Sequence, residues 1–132
     1  MRNQAAKQNR RGQTAIEVAL ILPIFMLVVL AIMDFSRFYW TQSVVRGAAY
    51  EGVRMAILEE VSNIQVESTI IGELTNGGIT QTASVDVGPR EPQQPVDVTV
   101  SVPFEFLAID SFVPVFSSVN KVTATAVMTH ER

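Results

Sequence analysis

AIEVALILPIFMLVVLAIM, residues 15–33, is the longest apolar stretch of the sequence and contains one charged residue, Glu17, and one proline, Pro23. At about 1.5 Å per residue, a helix of this length measures roughly 28 Å, close to the hydrocarbon thickness of a bilayer. The stretch has no polar face, which the core helix of a small soluble protein would show. It therefore predicts a membrane-spanning helix. The alternative, a helix buried inside a soluble protein, lacks enough surrounding chain to cover it.

Charge is distributed unevenly on the two sides of this stretch. The first 12 residues carry four basic side chains and no acidic one, whereas the rest of the chain carries 6 basic and 13 acidic residues. Basic residues beside the first apolar helix favour a cytoplasmic N-terminus, so we expect the C-terminal part outside. A secretory signal peptide would have a shorter apolar core, of about 7–15 residues, and a small-x-small cleavage site. Residues 33–37, MDFSR, offer no such site, so we expect the helix to stay attached.

The composition excludes several function classes. The chain has 132 residues, 10 Lys and Arg against 13 Asp and Glu, no cysteine and one histidine, His130. A weakly acidic balance argues against a nucleic-acid partner, and a lone histidine without cysteine excludes a disulfide framework, a zinc site and a thiol nucleophile. Glu59 and Glu60 are adjacent and diverge on a helix, so they form no catalytic carboxylate pair. We therefore expect one domain, no enzyme activity, no cofactor and no metal.

Residues 10–17, RRGQTAIE, resemble the processing site of type IV prepilins. The resemblance implies that a membrane peptidase cuts the chain after Gly12, just before the predicted helix, and leaves a new amino group on Gln13. Glycine suits such a cut because its backbone extends without a side-chain clash. The resemblance also implies that Glu17 pairs with the amino group of a neighbouring subunit, which apolar surroundings favour. From the residues alone, Glu17 can instead lie near the membrane surface and reach water or take up a proton.

A wider set of features follows in order along the chain: RGQ at 11–13, Glu17, Ala19, LP at 22–23, DFSRFY at 34–39 and AAYEGVRMA at 48–56. Together they resemble the TadE-like family, pseudopilins of the tight-adherence (Flp-type) pilus systems, over about residues 11–57. The resemblance implies a single-pass inner-membrane protein that takes part in pilus assembly. Its implied partners are a prepilin peptidase, other pilin or pseudopilin subunits, the inner-membrane assembly platform and membrane lipid.

A second interpretation of the same residues is an uncleaved, signal-anchored protein. Its outer domain would bind an envelope partner or ligand, and Glu17 would be incidental.

Several residues near the apolar stretch have local physical interpretations. Pro23 removes a backbone donor in mid-helix and clashes with the carbonyl of Ala19, so a kink is expected. Asp34 and Arg37 are three residues apart and can face each other at the outer membrane interface. An aromatic cluster follows at once: Phe38, Tyr39 and Trp40. Such a cluster predicts an anchor at the level of the lipid headgroups, and ordinary core packing is the alternative.

Apolar periodicity predicts that the helix continues past this cluster. One stripe recurs every three or four residues: Val45, Ala49, Val53, Ala56 or Ile57, Val61 and Ile64. Five small residues lie within it or beside it: Gly47, Ala48, Ala49, Gly52 and Ala56. They either permit close approach of another helix or, at the two glycines, only weaken the helix. Residues 62–65, SNIQ, predict a capping box that restarts a helix through Leu74, with Ile64, Ile70 or Ile71 and Leu74 on its apolar side, and residues 76–78, NGG, end it.

Beyond residue 78 the period changes to two and predicts strands at 79–87, 96–102 and 121–129. Three antiparallel strands with one apolar face need a cover. The fold class is therefore predicted as α+β: one long N-terminal helix, transmembrane and then amphipathic, packed on a small three-stranded antiparallel sheet. The expected regions are a basic leader at 1–12, a transmembrane helix at 13–34, an amphipathic helical region at 35–75 and a β-rich region at 76–132.

The connector between the second and third strands, residues 103–116, contains four phenylalanines. It is interpreted as a short helix that closes the core. The alternative is a surface that adheres to a partner or to lipid headgroups.

Overall fold

The computed structural model describes residues 2–58, 60–91 and 94–129, with side chains from Gln13 onward. Its first element is a single helix, α1 (Arg2–Ala56), of 55 residues, which continues through Pro23. The sequence predicts that the helix begins after Gly12, whereas the helical backbone already includes that residue. Residues 4–11, QAAKQNRR, are good helix formers, which explains the earlier start. The apolar stretch and the amphipathic region are therefore parts of one element.

Helix α2 (Asn63–Asn76) begins at the predicted capping box. Its N-cap Ser62 accepts the backbone N–H of Gln65 through Oγ at 3.3 Å, and its own N–H donates to Gln65 Oε1 at 2.9 Å. The helix ends at Gly77, whose N–H donates to the carbonyl of Glu73, and Gly78 follows with φ of +81°. Both predicted ends of the helix are confirmed, because each depends on hydrogen bonds among neighbouring residues.

The predicted buried face of α2 is partly wrong. Ile70 and Leu74 are buried as expected, but Ile64 is 78% exposed and Ile71 is also exposed. Val66 is buried in place of Ile64, so the buried side repeats every four residues. Position 64 lies in the first turn, before the helix meets the end of α1, and the apolar stripe predicted for α1 does not extend to it.

The sheet has three antiparallel strands in the order β1 (Ser84–Val87), β2 (Pro95–Pro103) and β3 (Lys121–Thr129). In its register Val98 lies between Val87 and Ala126. The first strand is shorter than the predicted 79–87. Ile79 donates its N–H to the carbonyl of Leu74 and so belongs to the C-terminal turn of α2. The other two predicted strands are confirmed.

One face of this sheet is covered by helices, which confirms the α+β layout. The alternating valines of β2 are all buried: Val96, Val98, Val100 and Val102. The second half of α1 contributes a matching set of buried residues: Val45, Ala48, Ala49, Val53 and Ala56. The stripe predicted for α1 therefore forms one side of the core, and β2 forms the other. We call residues 35–129, as far as they are described, the C-terminal domain.

Candidate functional site

The first half of α1 is largely uncovered by the rest of the chain: between Gln13 and Met33, only Leu27 and Ala31 are partly buried. From Gln13 to Ala56 it contains a window long and apolar enough to cross a membrane, and none of that window is buried. Glu17 lies on this uncovered part and is itself exposed, as is Gln13. The two are four residues apart, so they lie on the same side of the helix.

The charged residue at the end of the apolar stretch is buried by the connector. The side chain of Asp34 is only 2% exposed, although most of the helix before it is exposed. Its Oδ1 accepts the backbone N–H of Leu107 at 3.0 Å, and its Oδ2 accepts those of Ala108 at 2.9 Å and Ile109 at 3.0 Å. Ile109 is the first residue of helix α3 (Ile109–Phe112), and Leu107 and Ala108 lead into it. The N-cap residue, Ala108, makes no side-chain cap of its own. Asp34 therefore caps α3 from another helix.

Arg37 lies beside Asp34 and completes the contact between α1 and the connector, which we call the juncture. Its guanidinium lies 3.6 Å from Asp34 Oδ1, so the two residues face each other as their spacing predicts. The same guanidinium lies over the ring of Phe104, at 5.6 Å from its centroid. A cation so placed is attracted to the negative face of the ring. Arg37 thus balances a buried carboxylate and covers an aromatic side chain at once.

The predicted aromatic cluster divides between the core and the surface. Phe38 packs against Phe104 and Phe106, with ring centroids 5.4 and 5.9 Å away. Tyr39 and Trp40 are exposed, and Trp40 Nε1 donates a hydrogen bond to the carbonyl of Gly77 at 3.0 Å. The core-packing alternative therefore describes Phe38, whereas the other two rings remain available at the surface, where a headgroup anchor would need them.

The connector contains the predicted short helix and closes the core, and it also leaves apolar side chains exposed; adhesion of this surface to a partner or to lipid stays a prediction. It contains α3 and a 3₁₀ helix (Pro114–Ser118), and its residues Phe104, Phe106 and Ile109 are buried. The same segment leaves other apolar side chains exposed: Leu107, Phe112, Val113 and Val115. It therefore closes the core beside Asp34 and also presents an apolar surface.

The five small residues of α1 do not act as one stripe. Ala48, Ala49 and Ala56 are buried. A Cβ added to Gly52 would lie 2.5 Å from Cδ1 of Ile70, so this glycine permits α2 to approach closely. Gly47 is exposed, and a Cβ there would meet nothing within 4 Å. The close-approach interpretation therefore applies to position 52, and helix weakening is all that remains for position 47.

Sequence reasoning missed Arg90, which lies in the loop between β1 and β2. Its guanidinium donates to three backbone carbonyls: Ala56 at 2.8 Å, Leu58 at 2.7 Å and Val61 at 2.5 Å. These carbonyls belong to the end of α1 and the turn that leads to α2, where helix geometry leaves acceptors without partners. No local sequence pattern predicts these bonds, because the carbonyls lie 29 to 34 residues away from Arg90 in the sequence.

The side chains that the structure describes give little support for a metal site or for catalysis. Within the described ranges, no three His, Cys, Asp or Glu side chains come together in a way that would hold a metal ion. Glu59 and His130, which were weighed as catalytic residues, lie outside the described residues. The described residues instead present three features. They are the exposed apolar part of α1, the hydrogen bonds between Asp34 and the connector, and the exposed apolar side chains of the connector.

The fold defines a class: an α+β protein built on one long helix, whose largely exposed N-terminal half is long and apolar enough to cross a membrane. The family model for TadE-like proteins matches residues 12–54, about a third of the chain, which confirms the resemblance. The match indicates a Tad pilus-associated protein with an apolar N-terminal helix, from a family not known as enzymatic. Comparison with curated proteins and with solved structures gives no match.

Proposed function

We propose that this chain is a pseudopilin, or minor pilin, that takes part in the assembly of a tight-adherence, type IV-like pilus. The observation that carries the proposal is the two-part surface of α1: its first half is apolar and largely exposed, and its second half forms one side of the core of a small domain. The family match covers this same region, residues 12–54. A subunit of this shape can be held by lipid and later by the helices of its neighbours.

The bare half of α1 suits both environments. In a bilayer, lipid chains would cover the exposed apolar side chains. The helix bonds its own backbone groups there, except the carbonyl that Pro23 leaves without a donor. In a fibre, the same side chains would pack against neighbouring helices. A soluble monomer leaves such a continuous apolar surface uncovered only at the risk of aggregation. The surface therefore supports a protein that passes from membrane to assembly without refolding.

The charges support one orientation. Four basic residues precede Gly12, and the chain after it has an excess of seven acidic residues. Basic flanks favour the cytoplasmic side. The leader would therefore lie in the cytoplasm, and the C-terminal domain in the periplasm or at the cell surface.

Processing after Gly12 would change the end of the helix. The helical backbone continues across residues 12 and 13, so a peptidase must first open one turn there. Glycine lowers that cost because it is less stable in a helix than alanine by about 1 kcal/mol. The cut would remove the basic leader and place a new amino group on Gln13, one turn from Glu17. Between neighbouring subunits, the carboxylate of Glu17 and this amino group would neutralise each other in apolar surroundings.

A deletion in the native cell tests the function directly. Cells that lack the chain should lose or strongly reduce their pili, counted by electron microscopy, and a wild-type copy should restore them. The restored chain should remain in the membrane fraction after alkaline carbonate washing. Normal piliation of the deletion strain would contradict the proposal and favour the uncleaved, ligand-binding alternative.

A further inference from the structure

The tip of the connector, residues 107–116, packs against the apolar half of α1 instead of the sheet. Ala108, Ile109 and Phe112 line a crevice with Leu27, Leu30 and Ala31 that is too tight to hold a water molecule. These three residues of α1 lie N-terminal to Asp34, within the stretch predicted to span the membrane. The connector tip therefore reaches down the helix, past the point where the apolar stretch ends.

These contacts fix the level of the connector tip along the axis of α1. Leu27 lies seven residues before Asp34, so it is about 10 Å further along the helix axis toward the N-terminus. Any segment that packs against Leu27 and Leu30 must occupy the same level. If α1 crosses a bilayer, the connector tip then lies within the outer edge of the hydrocarbon region, beside the helix.

The side chains of the connector tip suit that environment. Its most exposed apolar residues are Leu107 at 74%, Phe112 at 60% and Val115 at 69%. Asp110 is the one charged residue of the segment, and its Oδ1 accepts the N–H of Ser111 at 2.8 Å. An exposed apolar cluster of this kind beside a membrane helix is typical of a segment that contacts lipid.

Many backbone N–H groups of the connector tip have hydrogen-bond acceptors within the protein. Asp34 accepts the amides of Leu107, Ala108 and Ile109. The N–H of Val113 donates to the carbonyl of Ile109 at 2.8 Å. Pro114 has no N–H, and the N–H of Phe116 donates to the carbonyl of Val113 at 3.0 Å. In lipid, unbonded backbone groups are costly, so these bonds lower the cost of inserting the segment.

We propose that the connector tip is a second membrane contact, inserted shallowly among the acyl chains of the outer leaflet beside α1. The inference rests on the proposed membrane-spanning role of α1. The Asp34 bonds fix the tip at this depth, and the tip in turn sets the tilt and rotation of the C-terminal domain relative to the bilayer. Lipid is the occupant because the apolar surface of the tip is continuous with that of the spanning helix.

Quenching of a fluorescent label in lipid vesicles tests the inference. The chain contains no cysteine, so single cysteines can carry an environment-sensitive nitrobenzoxadiazole label. The full chain would be labelled at Phe112→Cys or Val115→Cys and reconstituted in vesicles of phosphatidylethanolamine and phosphatidylglycerol. Both positions are exposed. Phe112 also lines the crevice against α1, whereas Val115 does not, so Val115→Cys is the variant that leaves this packing intact. Val127→Cys, on the exposed outer face of β3, is the control in water, and Ile24→Cys, in the middle of the apolar stretch, is the control in lipid.

Labels at positions 112 and 115 should be quenched by lipids that carry a spin label near the glycerol end of the acyl chain. Their quenching by aqueous iodide should be several-fold weaker than that of the label at position 127. Iodide quenching as strong as at position 127 would overturn the inference. So would shielding from both quenchers, because another protein copy would then cover the tip. If position 24 reports lipid and position 115 does not, only this inference fails. If position 24 also reports water, the proposed membrane role fails with it.

Discussion

Ala108 donates its backbone N–H to Oδ2 of Asp34 across 2.9 Å, although the two residues are 74 positions apart in the sequence. With the bonds from Leu107 and Ile109, this contact makes one carboxylate of α1 the cap of α3. Because the chain has no cysteine, no disulfide holds the C-terminal domain in place on the helix. Hydrogen bonds to a buried charge therefore contribute much of the specificity of this docking.

Removal of the Asp34 carboxylate should destabilise the domain. Asp34→Ala leaves three amides without an acceptor, and we expect a loss of about 2–4 kcal/mol in the free energy of unfolding. Asp34→Asn keeps one acceptor oxygen and should lose less. Denaturant unfolding in detergent micelles, followed by the fluorescence of Trp40, measures both. Asp86→Asn, on exposed β1, is the matched control and should change stability by no more than about 0.5 kcal/mol. An Asp34→Ala variant as stable as this control would contradict the capping role.

Arg90 should act as the bridge between the β1–β2 loop and the turn from α1 to α2. Arg90→Ala removes the donor shared by three carbonyls and should cost about 1–3 kcal/mol. Arg90→Lys should recover only part of the loss, since an ammonium group lacks the planar fork that reaches all three. Arg54→Ala is the control, because Arg54 is exposed and its ion pair with Glu51 is long, at 3.9 Å. Equal stability of the Arg54 and Arg90 variants in the same denaturant assay would show that the bridge is dispensable.

The two glycines of the small-residue stretch should respond in opposite directions to alanine. Gly52→Ala forces its new Cβ against Ile70, which is fully buried, and should lower stability by about 1–2 kcal/mol. Gly47→Ala meets open space and should raise stability by up to about 1 kcal/mol through helix propensity. Thermal unfolding by circular dichroism compares the pair. The close-packing account fails if Gly52→Ala is the more stable variant.

Glu17 should matter for assembly and not for insertion. Glu17→Ala removes a charge from the apolar stretch, so membrane insertion and processing should continue while pilus assembly falls. Pili counted on cells that carry the variant, together with the amount of chain in the membrane, separate these steps. Glu105→Ala removes an exposed carboxylate outside the apolar stretch and should leave piliation intact. Full piliation with Glu17→Ala would refute the assembly role.

Local patterns predicted the elements, and contacts between distant residues escaped prediction. The apolar stretch at 15–33, the alternation of β2 and the capping box at Ser62 each depend on neighbours in sequence, so they were visible. The spacing of Asp34 and Arg37, three residues apart, predicts their pairing, whereas the main partners of Asp34 come from the connector. The bond donors of Arg90 reach carbonyls about 30 residues away. Such contacts exist only once the sheet and helices have packed, and no periodicity encodes them.

The same reasoning explains two of the errors at the ends of elements, those at Ile79 and Ile64. Ile79 alternates correctly for a strand, but its N–H completes the C-terminal turn of α2. Ile64 has the right spacing for the stripe of α1, but α2 begins in a new direction and turns it to the surface. In both places a helix end changed the path of the chain.

The intact mass of the mature chain tests the central claim most directly. The chain would be purified from cells that contain the matching prepilin peptidase, with a Gly12→Val variant as the control that resists cutting because its side chain hinders the extended backbone. The account predicts a wild-type mass that begins at Gln13, and a variant mass that retains the leader. A wild-type chain that retains residues 1–12 in those cells would contradict it.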